Sequence, residues 1–573
     1  MKNLISILLC VTLTIACSSS WAEITLQNRF IGINGDLLKN VQAQFDIKQL
    51  SVAKTLTVAT VKRLYNEAPQ DISKALQPYG YFKIKVTSQL AHVSKNWYAN
   101  YRIDLGLPLR ITQLDVKITG EAAKDPKFEE LLAKFPLHQN DVFEAAKYNK
   151  AKQDLFSLAE RRGYVAAKMQ QSVIKIDLEN YTAVIILHFA SGPRYFFGPI
   201  AFSKTRFNKK FLDKFLAFKA GQYYSSGKLQ NTQENFNNSD LFEHVTIETL
   251  PDKAKNLQVP IIVNVIPHKS KHYIFGLGYG TDTGVRGSLG LDLYNFNPWG
   301  HYFSSMVTAS MQKQASFEVH YIIPGRNPII DRYDIAAATQ TEDDRLGYSN
   351  VIKLGPAYTT VIYGWQQSIR LNTQFENWKL KNQDNYNDSI LFVPNITWSK
   401  RKANDPIRPT RGYSINVMTQ GSVNNVISNI SFGQIKIDVK SMYPILKSTI
   451  LVLRGSLGFT TINDKYKDKL PLSFWFSAGG ADSVRGYAFK SIGPGTELAV
   501  ASSELRQKLF GNFYGAVFYD IGGVSNNLPS HYNQGIGIGL VWLSPVGAIR
   551  LSLAKPIDQS GKIRVQFSMG VEL

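Results

Sequence analysis

The run from Ile563 to Leu573 alternates apolar with polar or small residues without exception. Ile563, Val565, Phe567, Met569, Val571 and Leu573 share one face of an extended strand; Arg564, Gln566, Ser568, Gly570 and Glu572 share the other. A strand of this kind is expected to stand between lipid and a polar interior. Hydrocarbon offers no partner to a free N–H or C=O, so the architecture that admits such strands is a closed barrel, predicted here as antiparallel and transmembrane.

The same grammar recurs from Lys271 onward. Ile435, Ile437 and Val439 alternate with Lys436, Asp438 and Lys440, and Ile536, Ile538, Leu540 and Trp542 alternate with Gly535, Gly537 and Gly539. About 16 segments of this type can be counted, an even number as bacterial barrels require. Asn297–Gly300, Pro324–Pro328 and Ser544–Pro545 suit periplasmic turns, Gln383–Asp388 suits an outer loop, and Trp299, Trp365, Trp398 and Trp542 suit interfacial girdles. The first strand, Tyr273 to Gly280, places Gly276, Gly278 and Gly280 on one face, where the missing side chains weaken packing and pairing.

The N-terminal half reads differently. Lys2, an apolar stretch from Leu4 to Ala16 and the small-x-small site Ser20-Trp21-Ala22 predict a signal peptide over residues 1–22. A lipoprotein signal at Cys17 is the weaker alternative, because Thr14 stands where Leu is usual. Cys10 and Cys17 both fall in that segment, so the mature chain is expected to hold no thiol or disulfide. Beyond it there is no run of 18 apolar residues, which excludes a helical span on length.

Three helix-to-strand junctions then repeat, around Pro78–Phe82, Arg161–Tyr164 and Asn238–Phe242; their anchors Tyr81, Tyr164 and Phe242 lie 83 and 78 residues apart. That period predicts three α+β units, over residues 23–107, 108–190 and 191–268, before a barrel over 269–573. Tyr148, Leu155 and Leu158 mark the core face of one helix, and Phe207, Phe211, Phe215 and Phe218 recur at helical spacing.

The net charge of +21 is spread over both halves, which excludes a nucleic-acid arm and leaves a solvated basic surface or attraction to acidic lipid headgroups. Nine His residues form no HExxH, and no Gly-x-Ser-x-Gly elbow occurs. No catalysis, cofactor or metal is expected. Gly535-Ile536-Gly537-Ile538-Gly539 matches a dinucleotide fingerprint only in glycine count; within an alternating strand it leaves room in a lumen.

The most informative motif is Val484-Arg485-Gly486-Tyr487, in a long connection over residues 462–497. It resembles the loop-six signature of the Omp85 superfamily, and Phe518-Tyr519-Asp520-Ile521-Gly522 is similar to that superfamily's motif on the thirteenth barrel strand. The three repeats resemble POTRA domains. Their number, the run Gly539–Arg550 and the ending Glu572-Leu573 are similar to the TamA branch, the outer-membrane subunit of the translocation and assembly module. The resemblance implies a 16-stranded barrel in the outer membrane of a Gram-negative bacterium, with the repeats in the periplasm. It implies that loop six folds into the lumen, that Arg485 pairs with Asp520, that Gly486 permits the tight turn and that Tyr487 packs the tip. The terminal strand signal would be carried by Phe567, Gly570 and Leu573. Implied partners are a TamB-like inner-membrane protein met through the POTRA region, client outer-membrane proteins or autotransporters, and outer-membrane lipid. The implied activity is non-enzymatic assembly through a sideways-opening seam, with protein or lipid as cargo. A two-partner secretion transporter, a general BamA-like insertase and a passive porin are the alternatives.

Overall fold

The computed structural model describes residues 24–52, 56–294, 296–312, 314–425, 427–527, 531–558, 562–570 and 572–573. The signal-peptide reading over residues 1–22 and the Val571 position of the terminal alternation lie outside the described residues. Two compact units are present: residues up to Ile200 with Phe218–Gln230 and Thr249–Ile261, and Ala201–Ala217 with Asn231–Glu248 and Ile262–Leu573.

In the first unit, strands β1 (Thr25–Ile31), β2 (Lys85–Val93) and β3 (Asn96–Asp104) form a sheet in the order β1-β3-β2, with β1 parallel and β2 antiparallel to β3. Helices α1 (Gly35–Val52) and α2 (Val58–Leu76) accompany it. Strand β3 alternates buried Trp97, Ala99, Tyr101 and Ile103 with outward residues, and these meet Val61, Ala68, Ile72 and Leu76 of α2 in one core. The pattern returns with β4 (Arg110–Thr119), β5 (Lys168–Asp177) and β6 (Thr182–Ala190), ordered β4-β6-β5, and helices α3 (Pro126–Ala133) and α4 (Ala145–Arg162). Tyr148, Ala151, Leu155 and Leu158 form the buried face of α4, and Gly163 ends it at φ +88°. At the start of α3, Asp125 caps the Lys127 N–H at 3.1 Å and takes Arg162 Nε at 2.9 Å, Arg162 Nη2 at 2.8 Å and the Tyr164 hydroxyl at 3.0 Å. A third sheet, ordered β7-β9-β8, comprises β7 (Phe196–Phe202), β8 (Phe242–Thr249) and β9 (Gln258–Pro267).

The spacing of Phe207 to Phe218 predicts one helix, and the structure corrects it. Helix α5 covers only Lys209–Leu212 and continues as a 3₁₀ turn over Asp213–Phe215; Phe207 and Phe218 lie outside it. Asn208 starts the helix by accepting the Lys210 N–H at 2.9 Å, and Leu216 is already extended. Within the second unit Phe211 and Phe215 stand 5.4 Å apart, and Phe215 stacks on Phe236 of α6 (Ser226–Asn237) at 4.9 Å. Burial, rather than a continuous helix, explains the spacing. The same element meets the first turn of the barrel. Asn208 N donates to Pro298 O at 2.9 Å, and Gly300, at φ +75°, leaves the space filled by the Phe211 ring.

The second unit is dominated by a 16-stranded antiparallel sheet. In chain order its strands are β10 (Lys271–Gly280), β11 (Gly284–Leu293), β12 (Tyr302–Ser310), β13 (Gln314–Pro324), β14 (Arg332–Asp343), β15 (Gly347–Ile362), β16 (Trp365–Leu380), β17 (Asn387–Ala403), β18 (Gly412–Ser422), β19 (Phe432–Leu446) and β20 (Thr449–Ile462). After a 34-residue connection that holds the short pair β21 (Phe476–Ala478) and β22 (Ile492–Gly495), the wall resumes. It continues with β23 (Glu497–Phe510), β24 (Phe513–Ser525), β25 (Asn533–Ser544), β26 (Gly547–Pro556) and β27 (Arg564–Gly570). The outward face is apolar: Phe275, Leu277, Ile352, Leu354, Leu453, Leu457, Ile536 and Ile538 are all exposed. Among the described residues no helix is long and apolar enough to cross a membrane.

The terminal alternation needs two corrections. Strand β27 begins at Arg564, which leaves Ile563 outside it, and its pairing with β26 ends at Gly570. Leu573 then packs inside the barrel on Met442, Ile450, Val452 and Tyr514 instead of facing lipid. An apolar cluster and the buried ion pairs of Glu572 draw the last residues inward.

Candidate functional site

The sheet closes incompletely. Strands β10 and β27 are its two ends, and among the described residues no ladder joins them. Among the described residues, one backbone bond crosses between them, from Thr281 N to Phe567 O at 3.1 Å. Side chains supply the rest. Phe567 N donates to Thr281 Oγ1 at 3.2 Å, Arg286 Nη2 donates to Met569 O at 3.1 Å, and the Tyr279 and Phe567 rings lie 5.6 Å apart. Thus most of the outer backbone edge of β27 has no strand partner, in a place where unpaired edges are costly.

Gly276, Gly278 and Gly280 line the first side of this seam. Strand β10 nonetheless keeps its full register with β11, from Lys271↔Leu293 to Gly280↔Gly284. The glycines act through space: a Cβ at Gly278 would stand 3.0 Å from Arg286 Nε, and one at Gly276 would stand 2.2 Å from Ser288 Oγ. Arg286 therefore crosses a bare stretch of β10 to reach the backbone of β27.

Behind the seam lies loop six. Arg485 is buried and grips Asp520 three times, through its own N–H at 3.0 Å, Nε at 2.7 Å and Nη2 at 2.9 Å. Its Nη1 meets Glu504, and its guanidinium lies 3.3 Å from the centre of the Phe518 ring. Gly486, at φ +93°, turns the chain where a Cβ would press within 3.0 Å of the Lys555 backbone. Tyr487 is buried and its hydroxyl meets Asp558. Gly535 lies beneath: a Cβ there would come within 2.0 Å of Arg485 O, so this glycine admits the loop backbone against the wall.

Loop six also touches both sides of the seam. On the β27 side, Gln566 accepts the Gly486 N–H at 3.1 Å and donates to Tyr487 O at 3.1 Å. On the β10 side, the Ala481 N–H donates to Asp282 at 2.7 Å, in the turn that follows β10. Burial raises the Asp282 carboxyl above the ordinary aspartate range; the Ala481 bond opposes this, and nearby Asp482 adds to it. The ion pairs continue to the chain end. Glu504 takes Arg506 Nε at 2.6 Å, Arg506 Nη1 lies 3.1 Å from Glu572, and Glu572 takes Lys440 Nζ at 2.8 Å. Far across the lumen, Glu376 accepts Ser473 N at 3.0 Å and Ser473 Oγ at 2.5 Å.

The structure brings Arg485, Gly486, Tyr487 and Asp520 together, and it places Phe567 and Gly570 on β27 with Leu573 in the lumen. Gln566, Asp282, Glu504, Arg506 and Glu376 were missed as site residues. Glu504 and Arg506 carry a signal, since charges at i and i+2 in an alternating strand must both point inward. The partners of Gln566 and Asp282 are loop backbone, for which no residue pattern exists.

The profile of the Omp85 superfamily domain matches residues 277–572. Residues 31–105 match the first POTRA domain of TamA, and residues 114–192 and 195–267 match the POTRA profile described as a surface antigen variable number repeat. The outer membrane protein assembly factor BamA of Nitratidesulfovibrio vulgaris is 22% identical over 393 residues, covering 61% of this chain and 48% of that protein. BamA of Neisseria meningitidis is 21% identical over 486 residues, covering 69% and 58%. The chain thus spans about half to three-fifths of the curated relatives' length. The crystal structure of Haemophilus ducreyi BamA lacking POTRA domains 1–3 shares the fold, with a TM-score of 0.69 at 18% identity, over 80% of this chain and 99% of that one.

Proposed function

The chain belongs to the Omp85 superfamily, and from that premise we propose that it is an outer-membrane assembly and translocation factor whose seam between β10 and β27 opens sideways. Its barrel lies in the outer membrane and its POTRA domains in the periplasm. The observation that carries this reading is the edge of β27, held by one backbone bond and a few side chains where every other neighbouring pair of strands has a ladder. A strand that lacks a partner offers its N–H and C=O groups to an incoming strand by β-augmentation. Client outer-membrane proteins, autotransporters among them, would add there. Loop six restrains both sides: Asp282 holds the first hairpin and Gln566 holds the last strand.

The TamA-type first POTRA match supports a finer reading, in which the periplasmic domains meet a TamB-like inner-membrane partner and lipid is a second cargo. Deleting residues 23–107 should abolish capture of that partner while leaving the barrel folded; unchanged capture would favour the BamA-like or two-partner secretion reading. A passive porin fits less well, because loop six fills part of the lumen. The seam itself is tested by Thr281→Cys with Phe567→Cys, a pair joined by a backbone bond across it. With both native cysteines inside the expected signal segment, an engineered disulfide has no competitor. Oxidised protein should fail to assemble an autotransporter client and recover on reduction. Full assembly by the oxidised form would refute sideways opening.

A further inference from the structure

On the outer face of the barrel, across from the seam, Ile362, Tyr363, Trp365, Gln367, Trp398 and Val417 line a groove of about 640 Å³. It straddles β15 to β18, at their periplasmic ends. The chain enters β10 from the POTRA domains, so the turns after every second strand lie on the periplasmic side. Tyr363–Gly364, which joins β15 to β16, is one of them. Tyr363, at 94% exposure, projects from this turn.

The groove has a cationic rim. Lys400 follows Trp398 by two residues on the outward face of β17 and holds its Nζ 5.4 Å from the centre of the Trp365 ring. Lys402 is the next outward residue. Among the described residues neither lysine has a carboxylate partner, while the inward cations Lys440, Arg485, Lys490 and Arg506 are all paired. An ammonium group over the Trp365 indole and a second one two residues further along the same face, on a wall that faces hydrocarbon, suit a molecule with an apolar body and an anionic head at the membrane surface. We propose that this groove binds an anionic phospholipid of the periplasmic leaflet, its acyl chain against Trp365, Trp398, Ile362 and Val417 and its phosphate on Lys400 and Lys402. The inference rests on the barrel's place in the outer membrane and is independent of whether the seam opens.

The test is native mass spectrometry of the full chain in detergent, titrated with phosphatidylglycerol or with phosphatidylethanolamine of the same acyl chains. The wild-type protein should retain phosphatidylglycerol more tightly, by about fivefold for each lysine engaged. Lys400→Gln with Lys402→Gln should erase the preference, Lys400→Arg with Lys402→Arg should keep it, and Trp365→Ala should weaken both lipids alike. Heat-modifiable gel migration reports whether each variant is folded. Equal retention of the two lipids by the wild-type protein overturns the proposal without any variant, as does a preference that survives the double Gln substitution.

Discussion

The barrel wall is two-sided. At the seam, β10 has 10 residues and β27 has 7; on the opposite side, β15 and β16 have 16 each and β17 has 17. At about 3.4 Å per residue and a tilt near 45°, β27 spans roughly 17 Å along the membrane normal, while the apolar band of an outer-membrane barrel is about 25 Å tall. Strand β17 spans roughly 40 Å on the same arithmetic. At the seam β27 is too short for the lipid while β10, at roughly 24 Å, about matches it, and the opposite wall exceeds it. Adjusting the bilayer to the short side falls on the lipid next to the seam, where thinner hydrocarbon lowers the cost of an unpaired edge. The tall wall bears the aromatic groove and its lysines, and loop six reaches both sides, through Ser473 on Glu376 at the tall wall and through Gly486 and Ala481 at the seam.

The largest test of this contrast is Asp520→Ala. It leaves the Arg485 guanidinium buried with one carboxylate fewer, a change that typically costs about 3–5 kcal/mol. Loop six should become protease-sensitive and client assembly should fall. Amide hydrogen exchange should rise in β27 while β15 to β17 stay protected; equal loss of protection in both walls would break the comparison. Gln566→Ala is gentler, since it removes two bonds to loop-six backbone, worth about 1–3 kcal/mol with the polar groups left unpaired. It should raise exchange in β27 alone and leave the Arg485–Asp520 grip intact. The smallest effect is expected at Asp282, which binds its proton more tightly in the pinned state than when free. Its contribution is therefore complete below the ordinary aspartate pKa, near 3.9, and is lost as pH rises through the raised value. Exchange in the β10–β11 turn should increase over that window in the wild-type protein and stay level in Asp282→Asn. A pH response that persists in the variant would assign it to another group.

The barrel was legible because lipid imposes a strict rule. Outward residues within the hydrocarbon band must be apolar and inward ones are free to be polar, so period two survives through Ile435–Lys440 and Ile536–Trp542. The rule holds only while the strand lasts. Extended past Gly570 it points Leu573 outward, whereas the apolar cluster of Met442 and Ile450 draws that residue inward. Likewise the four- and three-residue spacing of Phe207 to Phe218 reads as a helix, although the Asn208 cap and the early extension at Leu216 confine the helix to one turn. Arg485 and Asp520 were named from motif resemblance, and the structure adds Glu504 and the ring of Phe518 to their surroundings. The seam was marked in the sequence only by Gly276, Gly278 and Gly280 on the first strand and by motif resemblance. Which two strands meet across nearly the whole barrel, and how few bonds join them, depends on closure geometry that no local pattern records.

Arg286 sharpens what kind of closure this is. A ladder breaks as a unit, because each bond aligns the next. The contacts of Arg286, Thr281 and Tyr279 come from three different residues of the first hairpin, two meeting Phe567 and one Met569, and no ladder couples them, so they are able to release in sequence. On the proposed sideways opening, a newcomer strand would trade places with them one at a time, and at no stage would the whole border lie bare in oil.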